Sequence, residues 1–343
     1  MKRIGIFIAM LMVCGLVYSQ AGDGTFKLLD LPSSARVAAM GGTNVAMHDD
    51  DINFSAMNPA LLSEKTHNML SFNYSNYFSD INFGSVLYGR NFGDKNYTAF
   101  GAHYLDYGKF LETSETNELL GRFTAKDIML SASYARLLHP RWTIGLSFKP
   151  MISIYERYQT YGFSFDVGVG YADTKHNFYA GLAFRNVGMS VASFRSLDGQ
   201  RSIDMLPWNI ELSLVKGFKH APIRISMTAH NWQCWNLGYT NHVTSVNAKE
   251  MTKAGAFFDM LFRHTIFNFE ILPTKNIYLL ISYNHRRQRE MSVSNYKTAA
   301  GLSFGAGIKV YKFHIDAGFA QYQAGQFSFH ATFTTYLSEF GIK

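Results

Sequence analysis

The chain has 343 residues, of which 15% are aromatic, and its 32 basic and 25 acidic residues give a formal net charge of +7. Beyond the N-terminus no stretch approaches the 18 consecutive apolar residues of a transmembrane helix, so the sequence excludes membrane-spanning helices. Of its two cysteines one lies within the first 19 residues, so a chain that loses those residues cannot form an intramolecular disulfide.

The N-terminus has the three parts of a secretory signal peptide. Residues 2–3 are basic, residues 4–17 are apolar, and Val17-Tyr18-Ser19 suits the signal peptidase. We expect cleavage after residue 19. The alternative, a lipoprotein acylated at Cys14, has Val before the cysteine where Gly or Ala is normally required. An exported chain does not meet nucleic acid, so the positive charge does not indicate a nucleic-acid partner.

Residues 20–66 show no alternation of apolar and polar positions. A short helix is predicted within residues 31–42, because Gly41 and Gly42 would end it. The acidic run at residues 48–53 is a weak calcium signal that lacks the alternate spacing of a calcium loop, so it indicates a solvated turn. Asn58 and Pro59 follow in an Asn-Pro-Ala motif.

From residue 67 onward, apolar residues alternate with small or polar ones in segments of about ten residues. In residues 161–171 every odd position is aromatic or β-branched and every even one is small or polar. Such strands have lipid on one face and water on the other. Fourteen segments follow the pattern: 67–77, 82–92, 97–109, 125–137, 142–156, 161–172, 176–187, 207–216, 222–231, 261–271, 276–286, 297–309, 312–321 and 326–337. The predicted fold class is all-β, a transmembrane antiparallel β-barrel of about 14 strands.

The links between these segments alternate in length. Short links follow segments two, four, six, eight, ten and twelve, and long links follow segments three, seven, nine and eleven, at about 110–124, 188–206, 232–260 and 287–296. Short periplasmic turns opposite long surface loops are typical of outer-membrane barrels. A soluble β-sandwich gives no reason for this alternation.

Charged residues occupy the face that would line the lumen: Lys149, Asp166, Arg185, Glu211, Arg224, Glu270, Lys309, His314 and Asp316. One interpretation is a set of ion pairs that brace a narrow interior, and the other is a charged channel. Because both signs are mixed and buried charges need partners, the pattern favours bracing.

Several motifs resemble a known family. Residues 31–42, the Asp-Asp-Asp-Ile-Asn run at 49–53 and residues 58–62 resemble the start of the PorQ component of the type IX secretion system of Bacteroidetes, in the PorV/PorQ group of FadL-like outer-membrane barrels. The likeness continues through Tyr107-Gly108-Lys109-Phe110 and the 220–230 region, and it covers essentially the whole chain.

The resemblance implies an organisation and a role. Residues 1–19 would be the signal peptide, residues 20–66 a hatch or plug inside the lumen, with Gly41, Gly42, Asn58 and Pro59 as its motif, and residues 67–343 the barrel. The protein would be a non-enzymatic part of a cell surface attachment complex for protein secretion. It would hold a PorZ-like soluble protein near the sortase-like enzyme PorU and a PorV-like component, with its N-terminus periplasmic and its long loops on the surface. The alternative is FadL-like transport of a small hydrophobic molecule.

No catalytic or metal-binding constellation is found in the sequence, and we expect no cofactor. Trp235 and Tyr239, in the longest loop, are candidate partner-docking residues because aromatic residues are enriched among binding anchors. Arg286, Arg287 and Arg289 form a candidate lipopolysaccharide contact, since guanidinium groups bind phosphate and carboxylate oxygens bidentately. The alternative for this cluster is an ordinary solvated loop. Cys234, between two tryptophans, indicates an interfacial aromatic belt rather than a nucleophile.

Overall fold

The structure is a computed structural model that describes residues 26–77, 80–114, 116, 118–156, 158–192, 205–237, 253–291, 299–323 and 326–341. The expected signal peptide, Cys14 and Tyr239 lie outside these residues.

Fourteen antiparallel strands close into one barrel, in which each strand pairs with the next and the last pairs with the first. This confirms the predicted fold class. The strands are β1 Met69–Asn76, β2 Asn82–Phe92, β3 Asn96–Thr113, β4 Leu119–His139, β5 Trp142–Tyr155, β6 Tyr158–Asp173, β7 Phe178–Ala192, β8 Asn209–Gly217, β9 Ile223–Ala229, β10 Thr265–Thr274, β11 Ile277–Asn284, β12 Leu302–Val310, β13 Phe313–Gln323 and β14 Gln326–Tyr336.

The two faces of the wall differ as the alternation predicts. On β5 the side chains of Trp142 and Leu146 are about half exposed, whereas Ser147 and Lys149, which point the other way, are buried. Closure leaves no unpaired strand edge, so the backbone polar groups of the wall are satisfied within the sheet. The apolar outer face is therefore the lipid-facing surface.

Several strand boundaries differ from the predicted ones: β7, for example, continues to Ala192 into the expected loop at 188–206, and β12 begins at Leu302 rather than at 297. The link between β3 and β4 spans only 114–118, because both strands continue through most of the expected loop at 110–124. Residues 261–263, expected at the start of the tenth strand, belong to helix α2, Lys253–Arg263. Residues 285–286 begin helix α3, His285–Glu290. The Asn284 side chain caps α3 by accepting from the Arg287 backbone N–H, which ends β11 there.

The N-terminal segment fills the barrel. Helix α1, Ala35–Ala39, and 3₁₀ turns at Lys27–Asp30, Ile52–Ala56, Pro59–Leu61 and Glu64–Thr66 are its regular elements. Apolar side chains of this segment, including those of Phe26, Met40 and Phe54, are fully buried against inward-facing residues of the wall. Contacts reach strands on opposite sides of the barrel, so residues 26–68 lie in the lumen; below they are called the hatch.

Helices play a small part in the described chain. None of the helices among the described residues is long and apolar enough to cross a membrane.

Candidate functional site

The glycine pair of the hatch sits where the chain turns after α1. Gly41 and Gly42 both have positive φ, +82° and +106°, a conformation that glycine adopts without strain. A Cβ atom on Gly42 would lie 2.6 Å from Arg287 Nη2, and one on Gly41 would lie 2.7 Å from Ile266 Cγ2. Both positions therefore let the hatch approach the wall closely, at the end of the barrel that carries α2 and α3.

The Asn-Pro-Ala motif joins the hatch to itself and to the wall. Asn58 Oδ1 accepts from the Ala60 N–H at 3.0 Å, which caps the 3₁₀ turn that begins at Pro59. Asn58 Nδ2 donates to Val45 O at 2.7 Å and to Val169 O at 3.3 Å. Both polar atoms of the Asn58 side-chain amide therefore form hydrogen bonds within the protein. None of its hydrogen-bonding atoms is left over for a ligand.

Four charged residues form a closed ring between hatch and wall. Arg36 Nη2 lies 2.6 Å from Asp49 Oδ2 and 2.8 Å from Glu270 Oε1. Arg224 completes the ring, with Nη1 2.8 Å from Asp49 Oδ1 and Nη2 2.5 Å from Glu270 Oε2. Burial alone would raise the pKa of the Asp49 carboxyl, but Arg224 and Arg36 hold it well below its ordinary value. The ring ties the hatch to β9 and β10.

This ring corrects one sequence-based expectation. The acidic run was expected to be a solvated turn, but Asp49 pairs with two arginines and Asp51 Oδ1 caps the next turn by accepting from the Asn53 N–H at 2.9 Å. The two wall residues of the ring, Arg224 and Glu270, were predicted from the sequence to be lumenal charges. Their pairing with Arg36 and Asp49 of the hatch was not predicted, because nothing local in the sequence relates residues so far apart.

The other predicted lumenal charges pair mostly with one another. Lys149 pairs with Asp166, Arg185 Nη1 lies 2.8 Å from Glu211 Oε1, and His314 Nε2 lies 3.4 Å from Asp316 Oδ1. Most of these side chains are buried. The lumen of the described residues is therefore braced by ion pairs, as the mixed signs predicted.

Cavities of different sizes lie along the lumen among the described residues. One of about 250 Å³ opens at the α2/α3 end and is lined mainly by polar groups, including Arg185, Trp208, His230 and Arg287. Another of about 420 Å³ opens at the opposite end, where the short turns lie. Between them the hatch leaves a cavity of only about 20 Å³, room for about one water molecule. Hatch side chains therefore occupy much of the lumen between its two ends.

The candidate arginines are largely committed to partners within the chain. Arg286 Nε lies 2.7 Å from Glu290 Oε1, and Arg289 Nη2 lies 2.8 Å from Asp259 Oδ1. Arg287 lies over the Tyr322 ring, 4.1 Å from its centroid, and its Nη1 is buried without a hydrogen-bond partner among the described residues. Arg289 is more exposed than Arg286, with 45% of its side chain accessible against 22%.

The tryptophan candidate lies at the same end. Trp235 is about half exposed and stacks on His264, with ring centroids 5.3 Å apart, and its ring also lies 5.7 Å from that of Phe257. The Cys234 thiol is free and donates weakly to Asn236 O at 3.5 Å. Within the described residues, no group of three or more His, Cys, Asp or Glu side chains is placed to hold a metal ion.

Comparisons with known proteins identify the fold. No family model and no curated protein matches the chain. Among solved structures, the Pseudomonas putida toluene transporter TodX is similar at 12% identity over 90% of this chain and 99% of its own, with a TM-score of 0.52. A FadL homologue of Pseudomonas aeruginosa matches at 11% identity over 89% and 98%, with a TM-score of 0.51.

The TodX deltaS2S3 mutant, described as a monoaromatic hydrocarbon channel, also matches, at 12% identity over 88% of this chain and 96% of its own with a TM-score of 0.50. At such identities the likeness shows the fold alone. The chain has the fold of FadL-type outer-membrane barrels. Two of these neighbours are named as a transporter and a channel.

Proposed function

We propose that this outer-membrane barrel is a non-enzymatic anchor of the type IX secretion system. Its α2/α3 end would face the cell surface and hold a PorZ-like soluble protein beside the PorU- and PorV-like components. The proposal is supported by the packing of the hatch, whose apolar side chains are buried against the wall and which the ring of Arg36, Asp49, Arg224 and Glu270 ties to β9 and β10. A rigid, closed barrel offers a fixed position in the membrane and gives a tethered partner a high local concentration.

The partner-binding face is assigned to the loop that follows β9. Trp235 is exposed there, and its stacking on His264 holds the indole in one orientation before any partner arrives. A preorganised aromatic side chain at a rim is the usual centre of a binding hot spot. We assign lipopolysaccharide contact to Arg289, because its side chain is 45% exposed, whereas Arg287 Nη1 is buried in the lumen.

The test is co-purification from detergent-solubilised outer membranes. Trp235→Ala should reduce recovery of the soluble partner at least tenfold, the effect of losing a hot spot worth about 2 kcal/mol. Trp142→Ala is the matched control, because Trp142 is equally exposed but lies on the lipid-facing side at the opposite end of the barrel. Equal recovery with both variants would remove the docking assignment, and recovery of no protein at all with the unmodified barrel would remove the anchor.

A second candidate, uptake of a small hydrophobic molecule, is favoured by the comparisons, because the solved structures that share the fold are named as transporters of that kind. An apolar cluster of hatch and wall residues lies beneath the cavity at the α2/α3 end of the barrel. It includes Leu28, Leu29, Phe83 and Met129. A transported molecule would have to displace the hatch from this cluster.

A disulfide between hatch and wall separates the two candidates. A Cβ on Gly170 would lie 3.7 Å from the Ala60 Cβ, within the range that disulfides require. In a Cys234→Ser background, the pair Ala60→Cys and Gly170→Cys should oxidise and lock the hatch. The anchor predicts unchanged partner recovery in the oxidised protein. Hydrophobic uptake by the reduced protein that stops on oxidation would instead establish the transporter.

A further inference from the structure

Helix α2 presents an apolar face that no described residue covers. Phe257, Phe258 and Phe262 are between 45% and 56% exposed, and Leu261 shares their side of the helix. Three neighbouring exposed phenylalanines are unusual on a surface in contact with water, where large apolar patches normally mark a binding surface. The question is what covers this face.

The opposite face of α2 is polar and fixed to the protein. Asp259 Oδ2 accepts from Arg263 Nε at 2.8 Å within α2, and Asp259 Oδ1 lies 3.1 Å from His285 Nε2 and 2.8 Å from Arg289 Nη2 in α3. Asp259 is therefore the centre of a charge cluster that holds α2 against α3. This contact determines which side of α2 points away from the barrel.

The apolar face is continuous with the lipid-facing wall. Helix α2 ends at Arg263 and β10 begins at Thr265, so the helix lies directly on the rim of the barrel. The Phe262 ring is 6.1 Å from the ring of Phe267, which begins the outward row of β10. That row continues through Phe269 and Ile271, both exposed on the outer face.

We propose that α2 is an interfacial helix whose phenylalanine face lies in the outer-leaflet lipid around the barrel. An amphipathic helix with aromatic residues on one side and charges on the other lies in the plane of a membrane interface, with its apolar face about 5–10 Å into the headgroup and acyl boundary. Aromatic girdles at the edge of the apolar band are typical of such barrels. The helix thereby fixes the base of the loop that carries Trp235. This inference depends on the barrel fold and not on the proposed partner.

Collision measurements on spin labels test the proposal directly. In a Cys234→Ser background, a nitroxide is attached to Phe258→Cys on the apolar face, or to Ala256→Cys, an exposed position on the other side of the same helix. The purified barrel is reconstituted into lipid bilayers without any partner. Correct folding of each variant is checked by heat-modifiable gel migration.

The label at 258 should collide readily with oxygen, which concentrates in lipid, and several-fold less with a water-soluble nickel chelate than the label at 256. Equal access of the nickel chelate to both positions would overturn the proposal by showing a solvated helix. Low access of both reagents at 258 would also overturn it, because that result shows a face covered by protein. Neither result bears on whether a soluble partner is bound at Trp235, so the anchor proposal is tested separately.

Discussion

Replacing Arg36 by methionine should loosen the hatch without unfolding the barrel. Arg36 makes two of the four ion pairs in the ring, and its side chain and that of Glu270 are only 4% and 2% exposed. In the variant, the largely buried carboxylates of Asp49 and Glu270 share a single arginine, Arg224. The Arg36 guanidinium also lies over the rings of Phe54 and Tyr278, and methionine loses these cation–π contacts as well.

Removing one partner of a buried ion pair costs about 3–5 kcal/mol. Asp49 is 25% exposed, so water compensates part of its charge and the lower end, about 3 kcal/mol, is the better figure. A free-energy change of about 1.4 kcal/mol changes an equilibrium constant tenfold. The loss of about 3 kcal/mol therefore raises the population of barrels with a displaced hatch about a hundredfold. Strand pairing does not involve the ring, so the wall stays closed.

Hydrogen exchange of the hatch measures this population, because amides in residues 35–61 exchange when the hatch opens. Their protection should fall about a hundredfold in Arg36→Met, while strand amides keep theirs. Lys65→Met is the control: the Lys65–Asp50 pair has the same 2.8 Å length, but its side chains are 65% and 49% exposed, so its loss should change protection less than about fivefold.

The double variant Arg36→Met/Glu270→Gln removes one charge of each sign and should restore part of the protection. Equal protection in Arg36→Met and Lys65→Met would refute the reasoning, because it would mean that the ring does not hold the hatch.

Two further predictions concern other contacts. A Cβ on Gly181 would lie 1.8 Å from Val45 O, so Gly181→Val should displace the hatch and speed exchange there. Gly84→Val should not, because a Cβ on Gly84 would make only an ordinary contact, 3.8 Å from Asn73 O; equal exchange would contradict this. Burial raises the pKa of Asp259, but hydrogen bonds from Arg263 and His285 lower it to about 2. A lowered pKa stabilises the fold above the ordinary pKa of Asp, and this stabilisation is lost as the pH falls towards 2. The protection of α2 amides, relative to their intrinsic exchange rate at each pH, should therefore stay constant down to about pH 4 and fall between pH 4 and 2; Asp259→Asn should show the low protection already at neutral pH.

The same period-two analysis that predicted the barrel failed to predict two helices, α2 and α3. The sequence of α2 carries the spacing of an amphipathic helix, but it runs directly into a strand whose alternation is poor, so period-two analysis extended the strand backwards over residues 261–263. Helix α3 is short, and its only helix signal in the sequence is the capping residue Asn284. A single capping residue is too weak a signal to predict a helix.

The sequence by itself determined the barrel, because each strand must present one face to lipid and one to the lumen, and that requirement repeats every second residue in 14 places. It also indicated that lumenal charges would be paired, since both signs occur on the same face. Only the tertiary structure decided which charges meet: Arg36 and Glu270 are 234 residues apart, and closure of the barrel around the hatch brings them within 2.8 Å. Tertiary structure also decided the orientation of α2, since Asp259 contacts residues about 30 positions along the chain that no local pattern connects to it.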